Sequence, residues 1–205
     1  MDRIKVLFVL VLFVCAGFFV YGCSQQGPSA SEIGGGTSYF PHNEGNSWII
    51  KSTDGTTTLS TFEGTTVIGG SITVQNCLSS RFDNEGNLTY MAEEYYRADD
   101  TGVYLHGNQY SPLTEGLAFL QFPLEVGKSW TFYDGGYYST IITVAGTERI
   151  SVPAGTFDCY IVSFGNYVGT VETYTLDFWV GNGVGIAKST SSISTHESVL
   201  EWKNF

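Results

Sequence analysis

Beyond the first 23 residues, Cys77 and Cys159 are the only thiols in the chain. Outside the cytoplasm they could form a disulfide, which needs Cα atoms within roughly 7 Å of each other. The alternative is two buried free thiols, each packed as a small apolar group. Neither has a histidine close in sequence to activate it as a nucleophile. The histidines are His42, His106 and His196, and no pair has metal-ligand spacing. Carboxylates gather at Asp83 and Glu85, at Glu93 and Glu94, and at Asp99 and Asp100. The stretch from Asp83 to Asn87 superficially resembles a calcium loop. It is short and lacks a distal bidentate glutamate, so a hairpin turn accounts for it. No G-x-S-x-G elbow and no phosphate-binding loop occurs. No catalytic residue, metal ligand or cofactor is therefore indicated.

Aromatic side chains are the more suggestive feature, with 13 Tyr, 14 Phe and 4 Trp in the full chain. Tyr90, Tyr95, Tyr96 and Tyr104 crowd one stretch; Tyr137 and Tyr138 mark another. Tyrosine is amphipathic and suits a ligand groove or a partner surface. Half-exposed β-strands also favour it for structural reasons alone.

Cys23 belongs to different chemistry. A short basic opening, Met1 to Lys5, precedes an apolar run from Val6 to Val20. That run is short for a membrane span, which needs about 20 apolar residues, and fits the core of a signal peptide. Val20-Tyr21-Gly22-Cys23 resembles the bacterial lipobox, with a bulkier residue than usual at Tyr21. The pattern predicts cleavage after residue 22 and lipid on Cys23, which would tether the chain to a membrane. Ser24 follows the cysteine, which by resemblance to Gram-negative lipoproteins favours the outer membrane. Residues 23–38 are rich in glycine, serine and threonine and read as a flexible tether.

The full chain carries a formal charge of −11, and removing Asp2, Arg3 and Lys5 with the leader takes it to −12. An acidic surface argues against nucleic acid and against direct docking onto anionic lipid. It keeps an exported domain soluble.

The elements that must position these residues repeat. The pattern F-P-x-x-x-G-x-S-W occurs from Phe40 to Trp48 and again from Phe122 to Trp130, 82 residues later. The same offset aligns Gly64-Thr65 with Gly146-Thr147, Ile68 with Ile150, Cys77 with Cys159 and Phe82 with Phe164. The expectation is two tandem copies, 39–111 and 120–205, within one domain of residues 39–205. Alternation of apolar and polar residues over 71–82, and again over 173–180, marks half-buried strands. Only 113–120 reads as a short helix. The fold class expected is all-β and antiparallel: two pseudo-symmetric units forming one curved sheet, barrel-like or sandwich domain. Trp48 and Trp130 are the expected core anchors.

Copy two also resembles an uncharacterised class of bacterial envelope lipoproteins. That class carries an F-P-L-x-x-G-x-x-W opening, a V-P-A-G-T-F-x-C-Y middle and a W-x-x-x-G-V-G-x-x-K close. Here these run from Phe122 to Trp130, from Val152 to Tyr160 and from Trp179 to Lys188. Copy one keeps the opening and lacks the V-P-A-G-T-F turn. The resemblance implies an all-β, often lipid-anchored module without assigned catalytic residues. Taken together, the chain reads as a binding or interaction module of the cell envelope. Its expected partners are the membrane, through Cys23, and an apolar, glycan or protein ligand. A structural envelope component and a hydrolase are the alternatives.

Overall fold

The computed structural model describes residues 36–205. The expected leader 1–22, Cys23 and most of the expected tether lie outside the described residues. A single 3-10 turn, Gly36–Tyr39, precedes the first strand.

Twelve strands follow. They are β1 (Ser47–Ser52), β2 (Thr57–Ile68), β3 (Ile72–Phe82), β4 (Leu88–Asp99), β5 (Gly102–Asn108) and β6 (Ser111–Gln121). The second half adds β7 (Ser129–Asp134), β8 (Tyr138–Val152), β9 (Gly155–Val168), β10 (Val171–Gly181), β11 (Gly185–Ser191) and β12 (Glu197–Lys203). All lie in one antiparallel sheet, ordered β6-β5-β4-β3-β2-β1-β12-β11-β10-β9-β8-β7. Each half is thus a six-stranded meander, and the two join where β1 pairs with β12. The sheet curls into a nearly closed barrel. Its edges β6 and β7 meet through a side chain: the Trp130 indole N–H donates to the Ala118 carbonyl at 2.7 Å.

The short helix expected over 113–120 is instead part of β6. Val103 pairs with Leu120, Tyr104 with Ala118 and Leu105 with Leu117. The ladder to β5 satisfies this segment's backbone groups, which overrides its weak local preference. The first meander accordingly runs through Gln121, beyond the boundary expected at Ser111.

The repeated motif does the same job in each half. Gly45 and Gly127 take φ of +84° and +91°, where a side chain would be strained. Their N–H groups donate to Phe62 and Val144 carbonyls, both at 2.8 Å. The serines that follow, Ser47 and Ser129, bond the hydroxyls of Thr61 and Thr143 at 2.8 and 2.7 Å. Trp130 is buried and Trp48 half-buried, and both pack against the main core.

Register shifts in β2, between Phe62 and Thr65, and in β8, between Val144 and Gly146, bend the two long strands. Phe62 and Val144, before the bulges, belong to the barrel core, whereas Ile68 and Ile150, after them, belong to separate clusters. One holds Ile68, Val74 and Tyr95. The other holds Ile50, Ile150, Cys159, Trp179 and Leu200, with the β8–β9 turn docked on β12 through Ala154 N–H to the Leu200 carbonyl at 3.2 Å. Leu200 is fully buried there. Leu200→Ala is expected to cost about 3 kcal/mol, as cavity-forming truncations do, measured as a lower urea midpoint with an unchanged slope.

Candidate functional site: the barrel interior

Inward-facing residues of eight strands line a cavity of about 100 Å³. Aromatic rings form much of its wall. Phe40 enters from the segment before β1, Trp48 from β1, Tyr96 from β4, Phe119 from β6, Phe164 from β9 and Phe178 from β10. The rings brace one another at tilted and edge-on angles: Phe40 to Tyr96 at 5.0 Å, Phe119 to Phe164 at 5.4 Å, and Phe164 to Phe178 at 5.0 Å between centroids. Such contacts fix rings more tightly than area burial alone.

One sector of the wall is polar. Thr58 and Ser60 of β2, Cys77 and Ser79 of β3, and Glu94 of β4 share it. Ser60 and Ser79 bond hydroxyl to hydroxyl at 2.8 Å. Glu94 is 7% exposed. Its Oε2 accepts the Tyr96 hydroxyl at 2.8 Å, and no cationic side chain pairs with it among the described residues. Burial raises its pKa from 4.5 to about 7, only partly offset by the Tyr96 hydrogen bond. A carboxyl group with no countercharge holds its proton when water is removed. Burial and the neighbouring Glu94 push the Cys77 thiol well above its ordinary range, and the Tyr96 hydroxyl likewise. The thiol therefore stays protonated and is a poor nucleophile.

The two cysteines are free, so the disulfide expected as one alternative is not formed. Cys77 sits inside the barrel in the main core. Cys159 lies in the cluster that includes Trp179 and Leu200, and burial lifts its thiol to about 12. Equivalent positions in the two halves thus face different clusters.

The tyrosines singled out as a possible ligand or partner surface are dispersed. Neighbouring residues of a strand point to opposite faces, so Tyr96 enters the cavity while Tyr95 packs outside it on Ile68 and Val74. Tyr104 is half-buried and bonds Thr101 by its hydroxyl at 2.7 Å. Tyr90, Tyr137 and Tyr138 are exposed, and the last two rings meet at 5.1 Å beside the β7–β8 turn. Only Tyr96 reaches the site. The histidines are separate as well. His42 bonds the Phe40 carbonyl, and His106 is buried against the Leu113 carbonyl. Among the described residues no three His, Cys, Asp or Glu side chains converge as a metal site. Asp83 takes the N–H groups of Glu85 and Asn87, both at 2.9 Å, which makes its segment a turn.

Glu94 is the residue that sequence reasoning passed over, as half of an acidic pair. Its phase held the signal. On a two-residue period Glu94 belongs with Ala92, Tyr96 and Ala98, while Glu93 belongs with Tyr95 and Arg97.

No family model matches the chain, and no curated protein does. Solved structures share its fold. One is a candidate lipoprotein from Parabacteroides distasonis, 14% identical, with a TM-score of 0.54. Another is a candidate exported protein with a YmcC-like fold from Bacteroides fragilis, 15% identical, with a TM-score of 0.55. Each alignment covers 81% of this chain and 98% of the other.

Glu94 makes stability depend on pH in a defined window. Its folded value lies above the unfolded one, so the unfolded chain loses this proton first. Stability contributed by the neutral acid is present in full below about pH 4.5 and is lost as pH rises toward about 7. Glu94→Gln should remove this slope, leaving the variant more stable than the parent above neutrality by up to about 3 kcal/mol. Urea unfolding at a series of pH values measures the difference.

Proposed function

We propose that this chain is an exported, lipid-anchored envelope protein whose barrel interior binds a small, largely apolar ligand without transforming it. The observation that carries the reading is the cavity of about 100 Å³, walled by aromatic rings and touched by a single carboxyl group. An engineered apolar cavity of about 150 Å³ is known to admit benzene, so the space suits a molecule of similar scale. Mostly apolar walls with a few fixed polar groups are the usual composition of a ligand site.

Binding without turnover follows from the titratable groups. Only Glu94 changes charge near neutral pH in the cavity. Acid–base hydrolysis of a glycoside needs two carboxyl groups, and covalent catalysis needs an activated nucleophile, which a protonated Cys77 is not.

The anchor rests on the signal-like leader and on Cys23, and is supported by the similar folds found in a candidate lipoprotein and a candidate exported protein. The envelope family that copy two resembles is part of the same reading and rests on the motifs between Phe122 and Lys188 alone. Ser24 after the cysteine favours the outer membrane over the inner in this reading. The matched turns, hydroxyl pairs and strand order of the two meanders further favour descent from one duplicated unit.

Two measurements test the proposal. Benzyl alcohol, a neutral one-ring compound on the scale of the cavity, should bind the purified protein in titration calorimetry. Phe178→Ala should alter that affinity, whereas Tyr137→Ala, far from the cavity, should not. No detectable binding to the parent protein would count against an interior site. Separately, radioactive palmitate should label the protein in cells, and Cys23→Ala should abolish the label.

A further inference from the structure

The cavity joins two features that recognise positive charge. Aromatic faces carry negative electrostatic potential and attract a desolvated cation. Six rings surround this space: Phe40, Trp48, Tyr96, Phe119, Phe164 and Phe178. A carboxyl group projects into the same space and lacks a cationic partner among the described residues. An apolar ligand would use the rings and leave Glu94 unmatched. An anion would be repelled by both. A neutral polar ligand would use Glu94 but gain little from the rings.

We propose that the interior site selects a small organic monocation, an amine or quaternary ammonium on an apolar body, with its charge beside Glu94 and its body against the rings. This rests on the reading of the cavity as a ligand site and specifies which ligand class fits it. The dimensions restrict the cation to a compact one, on the scale of a single aromatic ring with a short amine arm. The acidic surface of the domain adds long-range attraction for the same charge.

Binding is then coupled to a proton. Without ligand Glu94 is half-protonated near neutrality. A cation favours the carboxylate, so the site must release a proton as it fills, and affinity falls as pH drops below about 7. The groups facing Glu94 do not change this direction. Cys77 on β3 and Tyr96 on β4 stay protonated throughout that range. Asn108, its register partner on β5, does not titrate. Tyr90, further along β4, has its hydroxyl acidity weakened by burial and by Glu94, so it also remains neutral.

The test compares benzylamine with benzyl alcohol, which share a ring and differ in charge. Calorimetry on the full purified chain in an uncharged detergent is the readout. Benzylammonium should bind at least about ten-fold more tightly than the alcohol near pH 8. Its affinity should fall about ten-fold or more by pH 5.5, while that of the alcohol stays level. Glu94→Gln should lose both the preference for the ammonium and the pH dependence. Equal binding of the two compounds by the parent protein would overturn the cation proposal and leave the apolar site standing. Binding of neither would overturn both. A preference that persists in Glu94→Gln would also overturn the proposal, because the charge would then be read elsewhere.

Discussion

The structure depends on one seam, the ladder between the first strand and the last. Two six-stranded meanders could each form locally, since every other strand pair is a neighbour in sequence. Each alone would leave an apolar face open to water. Pairing of β1 with β12 joins them, with Ile50 opposite Leu200 and Trp48 opposite Lys203. Asn204 then ties the chain end to the first turn: its side chain accepts from Ser47 N–H at 2.7 Å and donates to the Gly45 carbonyl at 2.9 Å. The contact spans almost the whole described chain, so its closure carries a large loop entropy. The burial it completes must offset that cost.

From this seam the interior follows. Once β1 sits between β2 and β12, Trp48 packs against both the barrel core and the second cluster. The bulges in β2 and β8 then decide which residues remain inside. Phe62 precedes its bulge and is buried in the barrel; Ile68 follows it and joins the cluster with Val74 and Tyr95. The second half behaves in parallel with Val144 and Ile150. Thr58 and Ser60, which precede the β2 bulge, face the cavity together with Ser79 of β3 and Glu94 of β4.

Much of this was legible in the sequence. Period-two alternation marked β3 and β10, and the F-P-x-x-x-G-x-S-W motif marked the entrances to β1 and β7, because glycine at positive φ and a paired serine leave a clear trace. What depended on long-range geometry was not. Leu113 to Leu120 lacks strong alternation and becomes a strand only through its ladder to β5. Cys77 and Cys159 hold equivalent places in the motif alignment, yet they are unbonded and belong to different clusters. The tyrosine groupings followed proximity in sequence, which a pleated strand splits between two faces. Glu94 was hidden by its neighbour Glu93, since acidic pairs usually mark solvated surface.

Glu94 also bears on whether the cavity is a packing flaw or a site. Small voids in a barrel can arise simply because flat rings fill curved space imperfectly, and an all-apolar void would carry that explanation. A carboxyl group does not fit it. Its charged form is disfavoured by burial, and its neutral form gains only the Tyr96 hydrogen bond from the named contacts. A glutamine would accept the same hydrogen bond without the ionisation penalty. Retaining an ionisable group there lowers stability at neutral pH relative to such a residue. A purely architectural interior has no use for that, whereas a site that must answer to a positive charge does, and it would hold the group in a wall of rings that the same charge also favours.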